Sequence, residues 1–158
     1  MQVDEVARQR LAELTRQLAA GHITNDQFED LQPRTTEASL RRIFFYGLWP
    51  LYSDPHEHKL AGRDALNEEQ RKWVAHIVLF LRSGQPYRWP FLSGWRAIPA
   101  LLLSILTLGW FDRWWKHRAW RHGDKSVWPF YSRGEYEQAL RSPVYLAAQP
   151  VVGADRAR

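Results

Sequence analysis

Between Ala97 and Phe111 the chain runs fifteen residues without a charge, AIPALLLSILTLGWF, and passes straight into DRWWKHRAWR, where tryptophan and basic side chains crowd together. As a helix the apolar run would reach about 22 Å, short of the ~30 Å hydrocarbon core that needs about twenty apolar residues. Extending it back to Trp89 gives sufficient length, but the extension brings in Pro90, Ser93, Gly94, Arg96 and Pro99. The length therefore predicts a buried core helix. An interfacial segment and a true span over 89–111 are the alternatives.

Composition narrows the class but not the role. Charged residues make up 25% and hydrophobic residues 45% of 158 residues, the balance of one globular domain rather than a disordered chain. There is no cysteine, which removes disulfides, thiolate ligands and thiol nucleophiles. Nine tryptophans suit cores, binding surfaces and membrane interfaces alike. The first residues, MQVDEVARQR, hold no apolar stretch of the kind a cleavable secretory signal uses. Charge is unevenly placed: residues 1–39 carry seven acids and four bases, whereas 40–96 and 97–158 each carry five acids and nine bases. A basic body behind an acidic head points to an anionic partner for the body.

Periodicity predicts helices almost throughout. Val6, Ala7, Leu11, Leu14 and Leu18 recur at helical spacing from Asp4 to about Ala20, with Gly21 as the stop. Thr24-x-x-Gln27 has the spacing of a capping box and opens a short helix that Pro33 closes. A third helix is expected over Thr36–Leu48 on the stripe Leu40, Ile43, Phe44 and Leu48, ended by Trp49-Pro50. Asn67-x-x-Gln70 is a second capping box, opening a helix to about Arg82 that is apolar over most of its circumference. Ser132-x-x-Glu135 opens a last helix through Arg141, and 149–158 reads as a flexible tail.

Leu11-x-x-Leu14, Gly21, Ile23-Thr24 and Phe28-Glu29 together resemble the SHOCT-type helical hairpin, a small bacterial module. The resemblance spans about residues 5–32, with Gln27 where an acid is common, and the hairpin leads the chain instead of ending it. It implies oligomerisation or protein contact, hence self-association through residues 4–32, and no catalysis.

Trp-Pro occurs three times, in WPLYS, WPFLS and WPFYS, at intervals of forty and thirty-nine residues. The segments between them do not align, so they are expected to be three similar plugs at helix boundaries, with a repeat of period about forty as the alternative.

Chemistry-bearing motifs are sparse. No G-x-S-x-G elbow, G-x-G-x-x-G or P-loop occurs. His56 and His58, beside Asp54 and Glu57, are the only weak metal candidates, and zinc needs three or four ligands. His76 falls in the apolar helix and is expected to be a satisfied core histidine. On a helix, Trp110, Phe111, Trp114, Trp115 and Ala119 would share one face, leaving Arg113, Lys116, His117, Trp120 and Arg121 to form a binding surface. Interleaved bases and indoles suit an anionic lipid surface, a protein partner or single-stranded nucleic acid.

The sequence thus predicts an all-α fold: a single compact domain of about five to seven helices over 34–148, preceded by a hairpin over 1–33 that serves as an appendage. The expected role is that of a non-catalytic bacterial interaction or scaffold protein without cofactor, meeting a protein partner or an anionic membrane face. Its expected place is the cytoplasm, peripheral to the inner face of the membrane. A nucleic-acid binder is the alternative, and a metal-dependent hydrolase a distant third.

Overall fold

Helix α1 (Glu5–Ala19) starts where the Asp4 carboxylate accepts the Ala7 N–H at 3.0 Å. It stops in a left-handed turn: Gly21 takes φ +68°, its N–H reaches the Leu18 carbonyl, and the His22 N–H reaches the Gln17 carbonyl, both at 2.9 Å. Thr24 and Gln27 form the reciprocal capping box that opens α2 (Asn25–Asp30). Helix α3 (Ala38–Ile43) runs on through a π-helical turn (Phe44–Leu48) and a 3-10 turn (Trp49–Leu51). Asn67 and Gln70 form the second capping box, opening α4 (Glu68–Arg82), which ends at Ser83 and Gly84 with φ +67°. Before α5 (Arg133–Arg141), the Ser132 hydroxyl accepts the Glu135 N–H at 3.4 Å, and Glu135 reaches back to the Tyr131 N–H at 3.0 Å.

These elements come from a computed structural model that describes residues 3–52, 56–89 and 123–141. The described residues are helical as the periodicity predicts, with five α-helices and one isolated antiparallel bridge, Thr24 to Lys59. None of their helices is long and apolar enough to cross a membrane. The run Ala97–Phe111 and the tail 149–158 lie outside the described residues.

The expectation that the leading hairpin is an appendage is corrected. Helix α1 packs along α4, and Leu11, Leu14, Leu18 and Phe28 are buried in the same core as Ile43, Ile77, Phe80 and Phe130. Pro33 ends α2, but the chain after it turns back onto α1. The Thr35 hydroxyl donates to Asp4 at 2.7 Å, and Glu37 accepts the Asp4 N–H at 2.9 Å. Arg8 is 1% exposed. It pairs with Glu37 through Nη2 at 2.5 Å and Nε at 3.0 Å, donates from Nη1 to the Gln85 carbonyl at 2.6 Å, and lies over the Phe80 ring. One buried guanidinium therefore ties together α1, the segment leading into α3, and the end of α4. A change of net charge at residue 39 says nothing of which helix face is buried, which is why the charge shift misled.

The three Trp-Pro segments are not equivalent plugs. Trp49 sits in helical backbone and is 39% exposed, while Trp89 and Trp128 are each 2% exposed. Trp89 donates from Nε1 to the carbonyls of Pro129 and Phe130 at 3.1 and 3.0 Å, so this indole closes on the third segment. Trp128, whose bond to Pro129 is cis, stacks on Trp73 at 4.9 Å. Two glycines make room for these indoles. A Cβ on Gly123 would stand 2.6 Å from Trp89, and one on Gly47 would stand 2.6 Å from Trp128 and 2.9 Å from Ile77. Gly47→Ala is therefore expected to destabilise by about 1–3 kcal/mol, the usual range for overpacking. Urea unfolding should show a lower midpoint at unchanged slope.

Candidate functional site

The loop at His56–His58 is held by Asn25, which stands in for a strand. Its N–H donates to the His58 carbonyl at 3.1 Å, its side-chain oxygen accepts the His58 N–H at 2.8 Å, and its amide donates to the His56 carbonyl at 3.3 Å. The two imidazoles lie 5.1 Å apart, and His58 Nδ1 faces the His56 carbonyl at 3.0 Å. The Glu57 carboxylate accepts from the Thr24 hydroxyl at 2.7 Å. Among the described residues no group of three or more His, Asp or Glu side chains could hold a metal; Asp54 lies outside them. What the arrangement does is pin the loop to the α1–α2 turn.

His76 packs edge-on to Tyr136 at 4.7 Å, between α4 and α5. Burial holds its imidazole below the usual pKa, so the neutral ring is favoured. Contrary to the expectation of a satisfied core histidine, Nδ1 has no hydrogen-bonding partner among the described residues.

An open groove of about 830 Å³ lies between α1 and α4. Its floor includes Ala19, Val74, Val78 and Leu79, and Arg16, Arg71 and Arg82 stand on its rim. Glu13 is shared by Arg16 at 3.5 Å, Arg82 at 3.7 Å and the Gln17 amide at 3.1 Å.

The arrangement that stands out is an aromatic ridge where α3 passes into its π turn. Phe45, Tyr46 and Trp49 are 43%, 56% and 39% exposed, against 0–3% for Leu40, Ile43 and Leu48 on the opposite face. The rings are not loose. Phe45 meets Phe44 and Trp49 at 5.1 Å, Trp49 stacks parallel to Phe44 at 6.4 Å, and Phe44 stacks on the fully buried Phe28 at 6.1 Å. Arg41, exposed, precedes Phe45 by one turn. From Ala38 to Tyr52 the chain holds two arginines and no acid. Exposed rings so close together are unusual on a small domain, where large apolar side chains are mostly covered.

Of the residues nominated from sequence, Arg113, Lys116, His117, Trp120 and Arg121 lie outside the described residues, and His56 and His58 lie within them. The ridge went unnominated. The stripe Leu40, Ile43, Phe44 and Leu48 packs on the core as its spacing predicts, but that reading took no account of the rings on the other side of the same segment. The available signal was the doubled Phe44-Phe45 followed by Tyr46 in an acid-free stretch. No protein-family model matches this chain, and neither a curated protein nor a solved structure matches it.

Proposed function

We propose that the protein is a non-catalytic interaction or scaffold protein that uses a basic, aromatic surface to contact a protein partner or the membrane face. The observation that carries this reading is the ridge of Phe45, Tyr46 and Trp49, three large rings left in solvent beside Arg41 while the remaining described aromatics are largely packed. Trp, Tyr and Arg are the side chains that most often anchor contacts, because they offer large rigid area with a polar end. The segment Phe111–Arg121 is the sequence's own nomination for such a surface, with Trp120 among Arg113, Lys116 and His117. The resemblance of residues 5–32 to the SHOCT-type hairpin supports protein contact and self-association. A location peripheral to the inner membrane face accords with the same reading.

A benzophenone photo-crosslinker in place of Tyr46 tests the surface in living cells. It is expected to give a discrete protein or lipid adduct that is absent when the same group replaces Arg63, an exposed residue of the turn Gly62–Asp64. Identical products from both positions would sink the ridge as the contact face.

A further inference from the structure

We propose that the aromatic ridge seats on an anionic lipid surface, with Phe45, Tyr46 and Trp49 entering the headgroup region and Arg41 above them. This rests on the reading of the ridge as a contact face and names its partner.

Three features favour lipid over a protein. The first is area. The exposed parts of the three rings come to roughly 300 Å², since such side chains bury about 150–250 Å² each, against about 800 Å² per partner in a stable protein interface. The second is ring chemistry: Tyr46 and Trp49 each join an apolar body to a polar tip. A bilayer interface asks for neither large area nor shape complementarity. It takes aromatic rings at headgroup depth, and Trp and Tyr are enriched there because their apolar bodies and polar tips match that gradient. The third feature is charge: the ridge stretch itself holds Arg41 and Arg42, within a chain of net charge +5, and Glu29 of α2 meets the stretch at Tyr52, where its carboxylate accepts from the hydroxyl at 2.8 Å. An anionic leaflet attracts such a face, and zwitterionic lipid does not.

The ring contacts explain why the ridge would bind without first reorganising. Phe44, half-buried, is clamped between Phe28 beneath it and Trp49 and Phe45 above it. Phe45 and Trp49 are thus presented in fixed positions, and little of their side-chain entropy remains to be lost on binding. Tyr46 has no ring contact of this kind among the described residues, so its replacement leaves the clamp untouched.

Co-sedimentation of the full chain with vesicles decides the matter. The wild-type protein is expected to pellet with phosphatidylcholine vesicles carrying phosphatidylglycerol, and not with phosphatidylcholine alone. Pelleting should weaken as salt shortens the screening length from about 10 Å at 0.1 M to about 3 Å at 1 M. Tyr46→Ser combined with Trp49→Ser should weaken binding by about tenfold or more, since such contacts need buried apolar area together with attraction to anionic lipid. Arg41→Gln should weaken it about fivefold, the worth of one basic side chain near an anionic surface. Each variant is checked by its thermal melt, and single Tyr46→Ser provides the readout if Trp49→Ser unfolds the chain. Wild-type protein that stays in the supernatant overturns the proposal. So do folded ridge variants that pellet like wild type, because the lipid contact then lies elsewhere. A protein adduct at position 46 in cells, with no pelleting, overturns the lipid partner and keeps the ridge as a contact face.

Discussion

Removing residues 1–32 is expected to abolish cooperative folding of the remainder. Leu11, Leu14, Leu18 and Phe28 are each at most 2% exposed. Burying side chains of this kind stabilises by about 1.5–3 kcal/mol each, so the four together supply about 6–12 kcal/mol. That equals most of the roughly 5–15 kcal/mol by which domains are stable at all. The deletion also strips α4 of the helix that covers it and leaves Glu37 without Arg8. Residues 33–158 alone should show no sigmoidal urea or thermal transition. A cooperative melt within a few degrees of the full chain would mean that α1 covers the core without holding it together.

Arg8→Ala should be nearly as damaging on its own, at about 3–5 kcal/mol, because it leaves a buried carboxylate with its charge uncompensated. The exposed pair Lys72–Glu68 behaves differently. That pair is closely spaced at 2.6 Å, yet both side chains are more than two-thirds exposed, and its loss should cost no more than about 0.5 kcal/mol. Glu37→Gln is expected to fall between the two, since the amide still accepts one hydrogen bond but no longer balances the guanidinium. A double-mutant cycle of Arg8→Ala and Glu37→Gln should return a coupling of about 1–3 kcal/mol. Additivity of the two changes would mean that they act independently.

The same pair sets a pH dependence. Burial pushes the Glu37 carboxyl up, but hydrogen bonds from Arg8, from the Ser39 hydroxyl and from the Asp4 N–H, with the Arg8 charge, bring it below its ordinary value of 4.5. A carboxylate held low in the folded state binds fewer protons there than in the unfolded chain, so stability rises with pH through this range. Its contribution is complete above about pH 4.5 and is lost as pH falls through the lower, folded-state value. Urea midpoints measured from pH 6 down to 3 should fall more steeply in the wild type than in Glu37→Gln. Parallel curves would assign the acid sensitivity to other groups.

What the sequence determined by itself was local. Both capping boxes, Thr24 with Gln27 and Asn67 with Gln70, sit where their spacing put them, because a side chain reaching its own third neighbour needs no information from the rest of the chain. The stop at Gly21 was legible for the same reason: the left-handed turn after a helix favours glycine whatever surrounds it. Apolar residues around most of its circumference likewise marked α4 as a core helix, and Val74, Ile77, Phe80 and Leu81 are buried.

What only the tertiary structure decided were the contacts between distant segments. Arg8 and Glu37 read as two surface charges until α1 and the segment before α3 bring them together out of water. The tryptophans that open three similar pentapeptides are not alike, Trp49 being exposed while burial of Trp89 and Trp128 depends on Gly123 and Gly47 standing opposite them. The aromatic ridge belongs with these. The stripe Leu40, Ile43, Phe44 and Leu48 marked the core side of this segment, but that Phe45 and Trp49 close over Phe44 as one exposed cluster depends on Phe28 arriving beneath it from α2.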